Sequence, residues 1–205
     1  MARAKSCSGK KKKSLLPKWD LSDLYEGTDS LVLKSDLKRA RKATLTFRKT
    51  YFGSITKLSG NALGIAILKF EQIDELLARI LSYAQLVHAA NVTDPQIAKF
   101  NQTIQETVTD ISTNLIFFTL EINKIRNSAM KKKLAAPKLA YYKSWIKSLR
   151  TFKAHQLDEG IERILSEKRV TGGAAWTRLF DETIARVRFP VRGKEKTLEE
   201  TLSDL

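Results

Sequence analysis

The sequence predicts an all-α protein: a long antiparallel helical hairpin plus shorter packed helices, with a small β-hairpin near the C-terminus. Three observations carry this. Apolar residues recur at three- and four-residue spacing through two successive stretches, Asn61–Ala90 and Gln96–Ile125, the pattern of amphipathic helices. Between them Asn91–Pro95, NVTDP, is turn chemistry: Thr93 or Asp94 can cap and Pro95 suits a first helical position. After Ala185 the period drops to two, with Val187, Phe189 and Val191 alternating with Arg186, Arg188 and Arg192, as in a half-buried strand. At 205 residues and 42% hydrophobic content, the chain fits one domain or a piece of a larger protein.

The first 18 residues hold Arg3, Lys5, Lys10, Lys11, Lys12, Lys13 and Lys18 and no acid, so seven of the fifteen excess positive charges lie there and eight in the rest. This Ser, Gly and Lys composition buries too little apolar surface to offset chain entropy and reads as a basic disordered tail, able to touch nucleic acid nonspecifically. Leu16, Trp19, Leu21, Leu24 and Tyr25 suggest an extended segment pinned by its aromatics, followed by a turn at Gly27–Ser30. A first helix is expected over Leu33–Tyr51, with Leu37, Ala40, Ala43 or Thr44 and Phe47 inward, and Gly53 ending it. Ser59 caps the second helix, whose inner face is Leu63, Ile67, Phe70, Ile73, Leu77, Ile80, Leu81, Ala84 and Val87. The third helix buries Ile97, Phe100, Ile104, Val108, Ile111, Leu115, Phe118 and Ile122, giving the hairpin arms of about 45 Å.

Cover for that hairpin is expected from a short helix over Ser128–Ala135, another after Pro137 carrying Leu139, Tyr142, Trp145, Ile146 and Leu149, and a third over Asp158–Lys168 carrying Ile161, Ile164 and Leu165. Gly172 and Gly173 suit a sharp turn that lets Trp176 approach a neighbouring element, and Trp176, Leu179, Phe180 and Ile184 form one helical face. Arg192–Glu195 is expected to turn the chain, Lys196–Leu198 to return as a second strand, and Glu199–Leu205 to begin a helix that the chain does not finish.

The residues needed for most catalytic constellations are missing. A zincin helix needs HExxH, two imidazoles one turn apart with a glutamate between. Only His88 and His155 occur, far apart and without acidic neighbours at that spacing. His88 reads as a core or boundary histidine, and His155 as a capping or packing residue at a helix junction, with an exposed contact to a partner as the alternative. Cys7 is the sole cysteine, so no disulfide forms within the chain, in keeping with a reducing, cytoplasmic location. No secretory signal, apolar membrane span, GxSxG turn or phosphate loop is present. Asp181 and Glu182 point about 100° apart on a helix and do not converge. Glu106 and Asp110 share a face but lack a third group and read as a solvated polar surface.

LPKWDLSDLYEGTDS, SYAQLVHAANVTDP, TDISTNLIFFTLEIN and HQLDEGIERILSEKRVTGGAAWTRLFDETIARVRFPV are similar, in this order, to successive blocks of the oligoendopeptidase F family of zinc metallopeptidases. The resemblance runs from Leu16 to Leu205. It implies a helical peptidase whose N-terminal helical region and C-terminal catalytic region enclose a channel for short peptides, with zinc on HExxH and a further glutamate downstream. No position here matches those ligands, so no catalytic, cofactor-binding or metal residue is assigned, and no cofactor is expected in this chain. The resulting expectation is an N-terminal portion, inactive alone, divided into a basic tail (1–18), an N-terminal helical region (19–113), an oligoendopeptidase F-like helical domain (114–185) and a strand turn opening a truncated catalytic domain (186–205). It would be marginally stable, with the faces of Trp176, Phe180 and the first strand short of cover and prone to self-association. A peptide-binding or regulatory module partnering a separate catalytic half, and a basic nucleic-acid-binding helical protein, are the alternatives.

Overall fold

The computed structural model describes residues 19–204. The basic tail, Cys7 and Leu16 lie outside them. The architecture is helical, with α1 (Leu31–Tyr51), α2 (Gly60–Ala90), α3 (Pro95–Thr113), α4 (Ile116–Lys124), α5 (Asn127–Lys133), α6 (Pro137–Ala140), α7 (Lys143–Thr151), α8 (Glu159–Thr171) and α9 (Gly173–Arg186) preceding a hairpin of β1 (Phe189–Val191) and β2 (Lys194–Lys196) and a last helix, α10 (Leu198–Leu202). No helix among the described residues is long and apolar enough to cross a membrane.

Helix α2 is the axis of the molecule. It packs against α1 on one side, α3 on another and α6 across its N-terminal half, so it buries Ala66, Tyr83 and His88 besides the single stripe that periodicity assigns. Ser59 caps it, accepting from the Ala62 amide at 3.2 Å. Asp94 caps α3, accepting from Gln96 and Ile97 at 2.8 and 3.4 Å, with Pro95 in the first turn. Gly64 is where α6 crosses: a Cβ there would stand 2.6 Å from the Lys138 carbonyl group. The core is sealed by aromatics, Phe118 lying 5.0 Å from both Phe47 and Phe70, edge-on to the first and stacked on the second.

Several expectations are corrected. The helix foreseen over Gln96–Ile125 is two helices, broken at Asn114 and Leu115. Ser112 and Thr113 hydroxyls and the Asn114 amide each donate to carbonyls three residues back, at 2.9, 2.7 and 3.1 Å, offering the backbone an alternative to helix continuation. The returning arm is therefore 19 residues, or about 28 Å, and not 45 Å. The helix after Pro137 is likewise split: Tyr142, at φ −88° and ψ 11°, leaves the helical basin and its hydroxyl donates to Glu71 at 2.8 Å. Trp19 pins nothing, being 80% exposed, whereas Tyr25 is buried edge-on against Tyr83. The hairpin turn is the two residues Arg192 and Gly193, both at positive φ, with Val191 opposite Lys194, so β2 ends before Thr197. Thr197 and Glu200 form a reciprocal cap on α10, and that helix closes at Leu202.

The largest correction concerns α8 and α9. No described residue beyond Ile146 is buried. Ile161, Ile164 and Leu165 of α8 face outward, while Glu162, Ser166 and Val170, spaced by four, form its half-covered side where it lies along α3 and α4. Trp176 does not approach a neighbour and is 71% exposed, and Phe180 is 64% exposed. The strand residues Val187, Phe189 and Val191 are half-buried.

Candidate functional site

Helix α9 lies over the tip of the α2–α3 hairpin and leaves a cleft of about 960 Å³ between them. One wall is α9, with Ala174, Thr177, Asp181 and Ile184. The other is the last turn of α2 and the second turn of α3, which contribute His88 and Asn101. Both are almost fully enclosed, His88 at 8% and Asn101 at 4% exposure. Among the described residues, neither His88 Nε2 nor Asn101 Oδ1 has a hydrogen-bond partner. A buried polar atom without a partner costs about 1–3 kcal/mol.

The residues weighed from sequence fall around this cleft in an informative way. His88 is buried on α2, as its apolar surroundings imply, but it also lines the cleft. His155 sits in a single 3-10 turn between α7 and α8 and is exposed, so it does not pack at the junction. Asp181 lines the cleft whereas Glu182 lines a separate depression beside Arg186, which is the divergence expected of adjacent helical positions. Glu106 and Asp110 are exposed on α3, Asp110 pairing with Arg41 of α1 at 2.8 Å. Asn101 was not visible as a site residue, although a polar side chain within the stripe of Ile97, Ile104 and Val108 is the signal that marks it.

A second concavity, of about 620 Å³, lies where α2 meets α6 and α7 and is bordered by Glu71, Asp74, Glu75, Tyr141, Tyr142 and Trp145. Burial raises the Asp74 carboxyl above its ordinary range. Burial and the facing Glu71 carboxylate push the Tyr142 phenol up to about 12. Nearby, Tyr25 donates to Asp36 at 2.9 Å and Arg79 to Tyr25 at 3.2 Å, while Arg39 and Arg79 both pair with the buried Asp36. Arg79 thereby ties α2 to Asp36 of α1 and to Tyr25 in the segment before it, while Arg39 pairs with Asp36 within α1.

Zinc does not fit the side chains in view. Among the described residues no three of His, Cys, Asp and Glu converge to hold a metal ion, and the two histidines sit on separate elements, one enclosed and one exposed.

Comparison with known proteins gives a similarity over one segment of the chain. Residues 121–189, from α4 into β1, match the family model described as Oligopeptidase F, its N-terminal domain. No curated protein and no solved structure matches the chain. The matched segment includes α8 and α9 and so one whole wall of the cleft, and over those residues the chain is similar to the N-terminal domain of oligopeptidase F.

Proposed function

We propose that this chain is the non-catalytic N-terminal helical portion of an oligoendopeptidase F-type zinc endopeptidase that hydrolyses short peptides. On this reading hydrolysis belongs to a catalytic portion carrying HExxH, and the present residues provide a wall of the peptide channel and the surface on which that portion seats. The supporting observation is the outward apolar face of α8 and α9, Ile161, Ile164, Leu165, Trp176, Leu179 and Phe180, all exposed and all within the family match. Large apolar side chains exposed along two successive helices suit an interface, and burying each of them is worth about 1.5–3 kcal/mol. Its partner is then the zinc-bearing portion, whether continuous with this chain or separately encoded.

Supplying the HExxH-bearing portion of an oligoendopeptidase F in trans tests this. Chelator-sensitive cleavage of a quenched short peptide is expected to rise when the chain is added, and not to rise when Trp176 and Phe180 are both changed to Glu. No response to the parent chain, or an equal response to the double variant, contradicts the reading.

A further inference from the structure

We infer that the groove between α2 and the α6–α7 segment is a binding site for a linear aliphatic polyamine, whose ammonium groups meet Glu71, Asp74 and Glu75 while its methylenes lie against Tyr141 and Trp145. The groove holds about 620 Å³, and aromatic rings form much of its wall: Phe70 of α2, Tyr141 and Tyr142 at the joint between α6 and α7, and Trp145 of α7. Phe70 and Trp145 lie 6.2 Å apart between ring centroids, and Tyr141 stands edge-on to Tyr142 at 5.0 Å. Tyr141 is 82% exposed, and Phe70 and Trp145 are half-buried, so ring surface is open to a ligand.

Charge selects the occupant. Glu71, Asp74 and Glu75 follow one another along the groove side of α2 at helical spacing, Asp74 and Glu75 exposed and Glu71 half-buried. No lysine or arginine lines the groove, and among the described residues none of the three carboxylates forms an ion pair. Glu71 accepts from the Tyr142 hydroxyl at 2.8 Å, and desolvation raises the Asp74 carboxyl with no cation to offset it. The chain as a whole carries a net charge of +15, which repels cations, so a cation held here is held by local groups.

Carboxylates only accept hydrogen bonds, so the ligand must donate them while carrying positive charge. Among the described residues the three do not converge to hold a metal ion. Glu71 and Glu75 lie about one turn apart, roughly 6 Å along the helix axis, which suits charges set apart on a chain better than a compact ion. Aliphatic carbon between those charges then packs on the aromatic rings, whose faces also attract ammonium groups. A linear polyamine combines these features: N–H donors at intervals, joined by methylenes. The site uses no residue of the α9 cleft, and it depends on neither peptide hydrolysis nor docking through α8 and α9.

Spermidine titrated into the full chain at physiological ionic strength, followed by calorimetry, is expected to give one saturable site. Asp74→Asn with Glu75→Gln, both exposed and so not required by the core, is expected to lower affinity at least about tenfold. Tyr141→Ala is expected to lower it about threefold through loss of the ring face. Glu106→Gln with Asp110→Asn is the control, removing two exposed carboxylates one turn apart on α3 and outside the groove, and affinity is expected to stay unchanged. No saturable heat with the parent chain, equal losses in the two double variants, or displacement of spermidine by an equal concentration of magnesium chloride overturns the proposal. A response that appears only when residues 1–18 are removed gives the groove to the chain's own lysines and also overturns it.

Discussion

At the scale of single residues, the polar groups enclosed by this fold divide into those tied to a partner and those, on His88, Asn101 and Asn123, that keep an atom without one among the described residues. Glu121 is tied: its two oxygens accept from the backbone amides of Gly53 at 2.6 Å and Ile55 at 3.2 Å, fixing the loop between α1 and α2 onto α4. Tyr142 is tied as well, and it carries a titration. Its raised pKa means that the folded chain holds the phenol proton more tightly than the unfolded chain does. The stabilisation this represents is complete below the ordinary tyrosine value of 10.0 and is lost as pH rises through about 12. Tyr142→Phe is expected to reduce the fall in urea midpoint between those two pH values, with part of the fall remaining because burial also raises Tyr25 and Tyr83. Identical slopes in parent and variant contradict the assignment. His88 and Asn101 are the residues that periodicity places correctly but cannot interpret. Their burial follows from the apolar stripes they interrupt, whereas their lack of partners leaves no mark on periodicity.

At the scale of elements, the crossing of α2 by α6 depends on the missing side chain at Gly64. Gly64→Ala is expected to cost about 1–3 kcal/mol, because the helix must move away from a Cβ 2.6 Å from the Lys138 backbone. Gly173→Ala is the control: nothing lies within 4 Å of the added methyl, and the change is expected to be neutral or stabilising by up to about 1 kcal/mol. Equal destabilisation of the two variants in urea melts contradicts this account of the crossing. Element identity was legible where local chemistry decides it. Ser59 and Asp94 announce their helices because capping is a matter of two or three residues, and the period change after Ala185 announces β1. The break at Asn114 was hidden, since the apolar spacing of Ile111, Leu115 and Phe118 runs unbroken through it and side-chain competition for carbonyls leaves no mark on periodicity. The pairing of Asp36 with Arg79 was hidden for another reason: it joins positions 43 residues apart in sequence. The orientation of α8 was also illegible, because its apolar face turns toward the core only if something in the same chain covers it. Here the half-covered side is the one bearing Glu162 and Ser166.

At the scale of the whole molecule, the division is between a closed body and an open flank. Residues from Tyr25 to Ile146 supply the buried core, and the later elements lie against it without a buried residue of their own. The match to the oligopeptidase F model straddles this division, taking in α4 to α7 of the body and α8 to β1 of the flank. That placement suits a segment whose inner half completes one domain and whose outer half meets another. Neither the body nor the flank assembles metal-binding side chains among the described residues, and the sequence has no HExxH. On the proposed reading, the chemistry of peptide cleavage belongs to another portion, while this one offers a docking surface. The measurement that tests this division most directly is hydrolysis by the purified chain itself, incubated with zinc and a quenched short-peptide substrate. The account predicts no cleavage above that of buffer, with or without chelator. Zinc-dependent cleavage that a chelator abolishes would contradict it.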